Sequence, residues 1–307
     1  MKAILLTGHG GPEMLTYAET PDPRAGAGEI VVDIYAASVN GADPKVRRGN
    51  GRYKLDKFPH ILGRDFSGIV SEVASGVTDI KVGDAVFGVL DQGVEGTYAE
   101  KVAIRADLVA RKPNALSHAE AAALGLISLT ALTGLEDTAH LAAGQTILIQ
   151  GGAGGVAGFA VQFARHIGAR VIATASAGNF AYVKSLGADQ VIDYNKDDFT
   201  AIGPICDVVY DTVGGADVHA RSYKVLKPGG RLVWIAPAPD TLPRSDVETL
   251  KPDVKRDRAH LERMLALLAA DAVRPPAIHR YRLADAAEAH KVSEGRHLQG
   301  KLVLDVR

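Results

Sequence analysis

Gln150-Gly151-Gly152-Ala153-Gly154-Gly155-Val156-Ala157-Gly158 is the stretch whose reading decides the fold. Before it stands Thr146-Ile147-Leu148-Ile149, a short apolar and β-branched run of the kind that forms a buried strand. After it, residues 155–167 read as a helix and residues 170–174 (RVIAT) as a second strand. Gly152-x-Gly154-x-x-Ala157 fits the G-x-G-x-x-G/A pattern of a dinucleotide-binding turn. In that pattern the first glycine permits a tight turn. The second lets the backbone approach a pyrophosphate, and the small third residue lets helix pack closely on strand. The helix N-terminus then offers free N–H groups and a positive dipole end to phosphate. On its own the pattern is weak; the strand before it and the βαβ unit around it make it strong. The plainer alternative is a glycine-rich turn that binds nothing.

Downstream the alternation continues. Residues 180–186 read as a helix, and residues 190–193, 207–210 and 231–235 as further strands. Strand–helix–strand alternation at this spacing implies a doubly wound parallel sheet with right-handed crossovers. Residues 258–270 carry Leu261, Met264, Leu265 and Leu268 at helical spacing. Pro275-Pro276 ends helical structure, residues 284–294 read as another helix, and residues 301–306 (KLVLDV) as a last strand. That strand resembles those at the start of the chain and is expected to rejoin them. Upstream, strand-like runs at 2–7, 29–37, 68–73, 84–89 and 98–104 are separated by glycine-rich turns, the pattern of a small barrel-like β domain. Ser117-x-x-Glu120 has the form of a capping box and opens an Ala/Leu-rich helix. The chain shows no internal repeat. The expected organisation is α/β, with residues 1–120 plus 275–307 in one domain and 121–274 in a Rossmann dinucleotide-binding domain.

Composition agrees with a soluble two-domain protein: 307 residues, 47% hydrophobic and 23% charged. A net charge of -1 gives no field that would favour nucleic acid or an anionic membrane. The basic run at 251–258 (KPDVKRDR) is interrupted by Asp253 and Asp257 and reads as a solvated lead into a helix. Cys206 is the only cysteine, which excludes an intrachain disulfide and a multi-thiolate zinc site. The ten histidines include no H-x-x-x-H pair, so no metal site is expected. The first residues do not read as a signal peptide. The apolar stretch at 119–132 reads as too short and too interrupted to span a bilayer. A cytoplasmic location is the default expectation.

The segment after the second strand sets the cofactor. NAD-binding domains place an acidic residue there, about 20 residues after the glycines, to bind the ribose 2′-hydroxyl. Here the segment is Thr174-Ala175-Ser176-Ala177-Gly178-Asn179, with no carboxylate. Ser176 and Asn179 can donate to a 2′-phosphate, which favours NADPH, with NADH also possible.

Taken together, the chain resembles the medium-chain dehydrogenase/reductase superfamily, in its zinc-independent quinone oxidoreductase (zeta-crystallin-like) branch. The resemblance rests on Ser38-Val39-Asn40 with Asp43, Arg48-Gly49, PHILGRDFSG at 59–68, VGDAVFG at 82–88, GTYAE at 96–100, Leu129-Thr130-Ala131, the glycine turn, LGAD at 186–189, Asp211 to Gly215, and Gly300-Lys301. It implies a GroES-like β-rich catalytic domain joined to the Rossmann domain, and a homodimer. Zinc-dependent relatives carry a cysteine ligand near SVNGAD and a Gly-His-Glu near GRDFSG; here Asn40 and Gly63-Arg64-Asp65 stand there. The resemblance places Asn40 beside the nicotinamide and the substrate, and Thr130 at the nicotinamide end. Gly152, Ala153, Gly154, Gly155 and Val156 would hold the pyrophosphate, Ser176 and Tyr194 the 2′-phosphate region, and Ile235 and Ala236 would flank the nicotinamide. Each has a plainer reading: Asn40 as a turn residue, Thr130 as a helix hydroxyl, Tyr194 as a half-buried ring. Relatives often carry Lys or Arg just after the Ser176 position; Ala177-Gly178 stands there, weakening the expected phosphate clamp.

Without zinc to polarise a carbonyl, the expected chemistry is hydride transfer from NADPH to an acceptor already electrophilic, a quinone or an α,β-unsaturated carbonyl. Tyr53 and His60 are the side-chain candidates for supplying the proton, with solvent as the alternative. Two other readings stand beside this one: an enoyl or enone reductase without quinone activity, and a non-catalytic NADPH-binding sensor or structural protein. Neutral charge supports no nucleic-acid role, and no membrane partner is expected.

Overall fold

In the computed structural model, residues 1–50, 54–91, 93–236, 244–295 and 298–307 are described. The first third turns its β-branched runs into β1 (Lys2–Leu6), β2 (Leu15–Glu19), β3 (Glu29–Val39), β4 (His60–Ile61), β5 (Asp65–Val73), β6 (Ala85–Val89), β7 (Lys101–Arg105) and β8 (Val109–Arg111). A six-residue helix, α1 (Asp43–Arg48), comes after β3, with proline in its first turn and Gly49 ending it in the left-handed region. It is too short for its periodicity to show in the sequence. Ser117 and Glu120 form the capping box of α2 (His118–Leu132): each backbone N–H bonds the other's side chain, at 2.8 and 3.2 Å.

The alternating region supplies β9 (Thr146–Gln150), α3 (Gly155–Ile167), β10 (Arg170–Ala175), α4 (Phe180–Ser185), β11 (Gln190–Asp193), β12 (Cys206–Asp211), α5 (Ala216–Val225), β13 (Leu226–Trp234) and β14 (Glu248–Leu250). Last come α6 (Arg258–Ala269), β15 (Ile278–Arg282), α7 (Ala286–Glu294) and β16 (Lys301–Asp305). The chain divides into two compact units: Met1–Leu126 with Arg256–Glu262 and Pro275–Arg307, and Ile127–Lys255 with Arg263–Arg274.

The first unit is β-rich. One sheet runs β15-β16-β3-β5-β6-β8, with β7 also on β3, and a smaller one runs β2-β1-β4. β16 pairs antiparallel with β3, setting Leu302 opposite Val39 and Leu304 opposite Ala37, so the last strand does rejoin the first ones. Register shifts between Val31 and Val32 and between Ile34 and Ala36 curl β3 around its core. Ile30, Val32, Ile34, Phe66, Val86, Leu302 and Leu304 fill that core. Gly68 is required where β5 crosses β3, because a Cβ there would collide with the Asp33 carbonyl.

The second unit is a parallel sheet of order β11-β10-β9-β12-β13-β14, the order of a Rossmann domain. Leu148, Ile172, Val209, Leu232 and Tyr223 belong to its core. Past Leu132 the helical path continues as a π-helical segment, Thr133–Thr138. Gly134 lets this segment lie against the Tyr210 ring, 2.7 Å from where its Cβ would stand.

Two sequence expectations are corrected. The helical stretch His118–Thr138 has 21 residues and is apolar enough to cross a bilayer by length and composition, because the π-helical turn extends it; 83% of its most apolar window is buried inside the protein, as in a core helix. The basic run is a solvated lead only in part: Lys251, Asp253 and Lys255 are exposed, but Arg256 donates to the Leu90 carbonyl at 2.8 Å, and Arg258 to the Val109 carbonyl at 2.8 Å and to the Ala106 carbonyl. These guanidiniums satisfy backbone carbonyls of the β-rich unit.

Candidate functional site

The turn after β9 is built from backbone. Gly151 takes φ +76°, so the left-handed residue stands one position before the Gly152 expected to make the turn. Gly152 instead solves a packing problem: a Cβ there would stand 3.0 Å from Ala173 Cβ and 3.1 Å from Val183 Cγ1. Gly154 is the extended N-cap residue of α3 and offers no side-chain cap. The N–H groups of Gly155, Val156 and Ala157 therefore open the helix toward any anion placed there. The closest helix approach falls at Gly158 rather than Ala157, 3.1 Å from Leu186 Cδ1 and 3.5 Å from the Gly152 carbonyl. Thr174 Oγ1 ties the turn from below, accepting from Gly151 N (3.1 Å) and donating to Gln150 Oε1 (2.8 Å). The buried Gln150 Nε2 has no hydrogen-bond partner among the described residues.

Other predicted cofactor residues share this edge of the sheet, at the carboxyl ends of the parallel strands, where open α/β sheets bind ligands. Ser176 follows β10, and Asn179 Nδ2 donates to its hydroxyl at 3.2 Å. Tyr194 follows β11; it is 44% exposed, and its backbone N–H is 3.4 Å from the Ala175 carbonyl. β10 and β11 are paired with Ala175 opposite Asp193, so Ser176 and Tyr194 leave adjacent strand ends. Ile235 and Ala236 follow β13, and Ile235 N–H bonds the Asp211 carbonyl at 3.0 Å. Asp211 Oδ1 accepts from Val213 N and Gly214 N at 2.8 and 2.9 Å, which shapes the loop after β12. Thr130 lies on α2, its carbonyl accepting from the buried Tyr210 hydroxyl at 3.0 Å.

The β-rich unit holds a second polar cluster, built from side chains. Asn40, at the end of β3, is 8% exposed. Its Nδ2 donates to Asp65 Oδ1 at 2.9 Å, and its Oδ1 accepts from Lys301 Nζ at 2.8 Å. Ser38 Oγ also donates to Asp65 Oδ1 (2.8 Å), and the Leu126 N–H donates to Oδ2 (3.2 Å). Asp43 caps the Asn40 backbone N–H at 2.8 Å and takes Arg64 Nη1 and the Tyr98 hydroxyl, each at 2.8 Å. Tyr98 in turn meets His290 Nε2 at 3.3 Å, and Arg47 Nη1 stands 3.3 Å from His290 Nδ1. A guanidinium only donates, so His290 Nδ1 accepts and its Nε2 carries the proton given to Tyr98.

Burial governs the titration of this cluster. It raises the Asp43 carboxyl to about 6 against the pull of Arg64 and lowers His290 to about 3 with help from Arg47. Burial also lowers the Lys301 ammonium, while the Asp65 and Asp43 carboxylates oppose that shift.

His60 joins the same cluster: its Nε2 is 3.0 Å from Glu95 Oε2, the other Glu95 oxygen accepts from Arg64, and Arg64 reaches Asp43. Tyr53 lies outside the described residues. Sequence reasoning assigned no role to Asp65, Arg64 or Lys301. A strand-period pattern says which face a residue takes, not which distant residue meets it, and Lys301 is 261 positions from Asn40. Among the described residues no group of three or more His, Cys, Asp or Glu could hold a metal ion.

Comparison with known proteins places this geometry. Residues 26–114 match the alcohol dehydrogenase GroES-like domain family, and residues 186–304 the zinc-binding dehydrogenase family. A chloroplast envelope quinone oxidoreductase homolog of Arabidopsis thaliana is 32% identical over 317 residues, covering 96% of this chain and 95% of that protein. A 2-methylene-furan-3-one reductase of Solanum lycopersicum is 38% identical over 247 residues, 78% of this chain; the matched part spans only 63% of the reductase's length. The crystal structure of Escherichia coli quinone oxidoreductase complexed with NADPH superimposes over the full length of both chains with a TM-score of 0.91 at 30% identity. The strand order, the glycine turn and these full-length matches converge: the chain belongs to the medium-chain dehydrogenase/reductase superfamily, among its quinone oxidoreductase-like members.

Proposed function

We propose that the protein transfers a hydride from NADPH to a quinone or an α,β-unsaturated carbonyl compound, without zinc. The observation that carries this reading is the β9–glycine turn–α3 unit, with an uncapped helix N-terminus and a Gly152 that leaves no room for a side chain. NADPH supplies the hydride. Ala153, Gly155 and Val156 bind the pyrophosphate through backbone N–H groups, while Gly152 and Gly154, whose N–H groups are taken by the Thr174 and Gly151 carbonyls, shape the turn that admits it. Ser176, Asn179 and Tyr194 meet the 2′-phosphate as neutral groups, so NADPH is preferred over NADH without a cationic clamp. Thr130, Ile235 and Ala236 border the nicotinamide.

Zinc does not fit the residues present. Asn40 and Gly63-Arg64-Asp65 stand where zinc-dependent relatives carry a cysteine ligand and Gly-His-Glu, and the Lys301 ammonium is already 2.8 Å from Asn40 and the Arg64 guanidinium 2.8 Å from Asp43. A divalent cation would be repelled by both. Burial holds the Cys206 thiol up at about 12, so it supplies no thiolate.

Asn40 orients the acceptor and His60, held by Glu95, passes one proton from water to the product. Hydride plus proton balances reduction of either acceptor class. The relatives named above support both classes: one is named a quinone oxidoreductase homolog and one a furanone reductase. The assembly proposed is a homodimer.

The test is a fluorescence titration with NADPH and NADH in parallel, followed by turnover with 1,4-benzoquinone and methyl vinyl ketone. NADPH binding about tenfold tighter than NADH, a gap of about 1.4 kcal/mol, with turnover of both acceptors is expected. Turnover of the enone alone identifies an enone reductase. Binding without turnover identifies a non-catalytic NADPH-binding protein, and binding of neither nucleotide overturns the reading.

A further inference from the structure

Lys301 is a buried lysine, 5% exposed, whose position is set by a tight turn. Gly300 before it has φ +75°, and a Cβ there would collide with the Ala277 carbonyl. From that turn β16 runs antiparallel to β3 and brings the ammonium to the end of β3. Its Nζ donates to the Val39 carbonyl and to Asn40 Oδ1, both at 2.8 Å.

The chemistry of these partners fixes which way the Asn40 amide faces. An ammonium only donates, so the atom facing Lys301 is the amide oxygen. An ionised carboxylate only accepts, so the atom facing Asp65 Oδ1, 2.9 Å away, is the amide nitrogen. The amide is therefore strung between a cation on its oxygen and an anion on its nitrogen. Nδ2 carries a second hydrogen, and its one other contact among the described residues is the Ser38 carbonyl at 3.5 Å, the outer limit of a hydrogen bond. Asn40 thus has one N–H held only weakly and able to turn to a ligand, while a cation occupies its acceptor.

A cation on an amide oxygen withdraws electron density from the amide nitrogen, and linked hydrogen bonds polarise one another inside a protein. We propose that Lys301 is a positioning residue that makes Asn40 a polarised N–H donor to the acceptor's carbonyl oxygen. The proposal rests on the reading above, in which Asn40 serves the acceptor. In reduction of an enone the hydride adds to the β-carbon, and the C=C electron pair shifts so that the carbonyl oxygen becomes an enolate oxygen. Water then supplies the proton at the α-carbon. The Asn40 N–H stabilises the negative oxygen, and the Lys301 charge strengthens that donor. Lys301 and Asn40 thus take up electrostatically what a Lewis acid does in a zinc enzyme.

A purely structural role for Lys301, tying β16 to the Val39 carbonyl, predicts something different. A weakly electrophilic enone needs its carbonyl polarised far more than a quinone does, so loss of polarisation discriminates between acceptors and loss of scaffolding does not. The experiment compares wild type, Lys301→Met and Lys301→Arg with methyl vinyl ketone and 1,4-benzoquinone. NADPH affinity and melting temperature are followed in parallel. The side-chain amide resonances of Asn40 are recorded by 15N NMR, assigned through Asn40→Asp. Lys301→Met is expected to lower kcat for the enone about 100-fold, the scale of losing one oxyanion donor, and for the quinone by less than about tenfold. NADPH affinity stays within about threefold, the Asn40 amide resonances shift, and Lys301→Arg restores much of the enone rate. Equal losses for both acceptors, or Asn40 resonances that do not move, overturn the proposal. Wild-type protein that binds NADPH but reduces neither acceptor overturns the parent reading and the polarising role together, while the amide resonances still report whether the clamp exists.

Discussion

The glycine turn after β9 and the polar cluster at the end of β3 are built on opposite principles. The turn uses backbone from nine consecutive residues, Gln150 to Gly158, and its side chains matter mainly by being absent: a Cβ on Gly152 would crowd Ala173 and Val183. The cluster uses side chains from six separate places in the chain, Ser38–Asp43, Arg64–Asp65, Glu95, Tyr98, His290 and Lys301, linked into one network by charge and hydrogen bonds. A backbone site tolerates no added volume. A side-chain site tolerates volume better than it tolerates a lost partner, because each buried polar atom left alone keeps its desolvation cost.

That contrast can be broken experimentally. The largest effect is expected at the side-chain site: Asn40→Ala should lower kcat by about 10²–10³-fold with NADPH affinity little changed, as for loss of one oxyanion donor. Steady-state kinetics beside a NADPH titration would separate the two quantities; a weakened NADPH affinity with intact kcat would sink the assignment of Asn40 to the acceptor. At the backbone site the pattern should invert. Gly152→Val should weaken NADPH about 100-fold, roughly 2.7 kcal/mol, because the turn must move to admit the branched side chain against Ala173 and Val183. If the variant binds NADPH normally, the turn does not carry the pyrophosphate.

Smaller changes sharpen the comparison. Ser176→Asp should weaken NADPH about tenfold, roughly 1.4 kcal/mol, while leaving NADH unaffected, since a new carboxylate repels a 2′-phosphate and accepts from a 2′-hydroxyl. Equal effects on both nucleotides would place the 2′-phosphate elsewhere. The smallest effect concerns stability. His290 titrates at about 3 in the fold, well below the ordinary 6.5. The unfolded chain therefore takes up a proton first, and the neutral-histidine contribution, complete above pH 6.5, is lost as pH falls toward 3. The slope from one such group is at most about 1.4 kcal/mol per pH unit. His290→Gln should flatten the fall in melting temperature across that window. An unchanged profile would show that another group dominates acid unfolding.

The same contrast explains what could be read before the fold was known. Gln150–Gly158 was legible because everything it needs is local: an apolar strand, glycines at fixed offsets and an amphipathic helix. The doubly wound parallel sheet came with it, because strand–helix alternation admits few topologies; its strand order did not. Short elements such as α1, β4 and β14 were not legible, being too brief for any period to show. Within the turn itself, the left-handed residue proved to be Gly151 and the close helix approach Gly158, since both depend on what packs beneath. Arg256 and Arg258 look like solvated charges in the sequence and bind backbone carbonyls in the fold.

By itself, the sequence determined the α/β architecture, the dinucleotide turn and the lack of a carboxylate after β10, because strand and helix periods and glycine geometry act over a few residues. Tertiary structure alone decided that Lys301 meets Asn40, that Asp65 meets both Asn40 and Ser38, and that His60 reaches Asp43 through Glu95 and Arg64. The Lys301 contact exists only because β16 returns to pair with β3, and pairing between strands so far apart in the chain, with Lys301 261 positions from Asn40, is set by the packing of the whole β-rich unit.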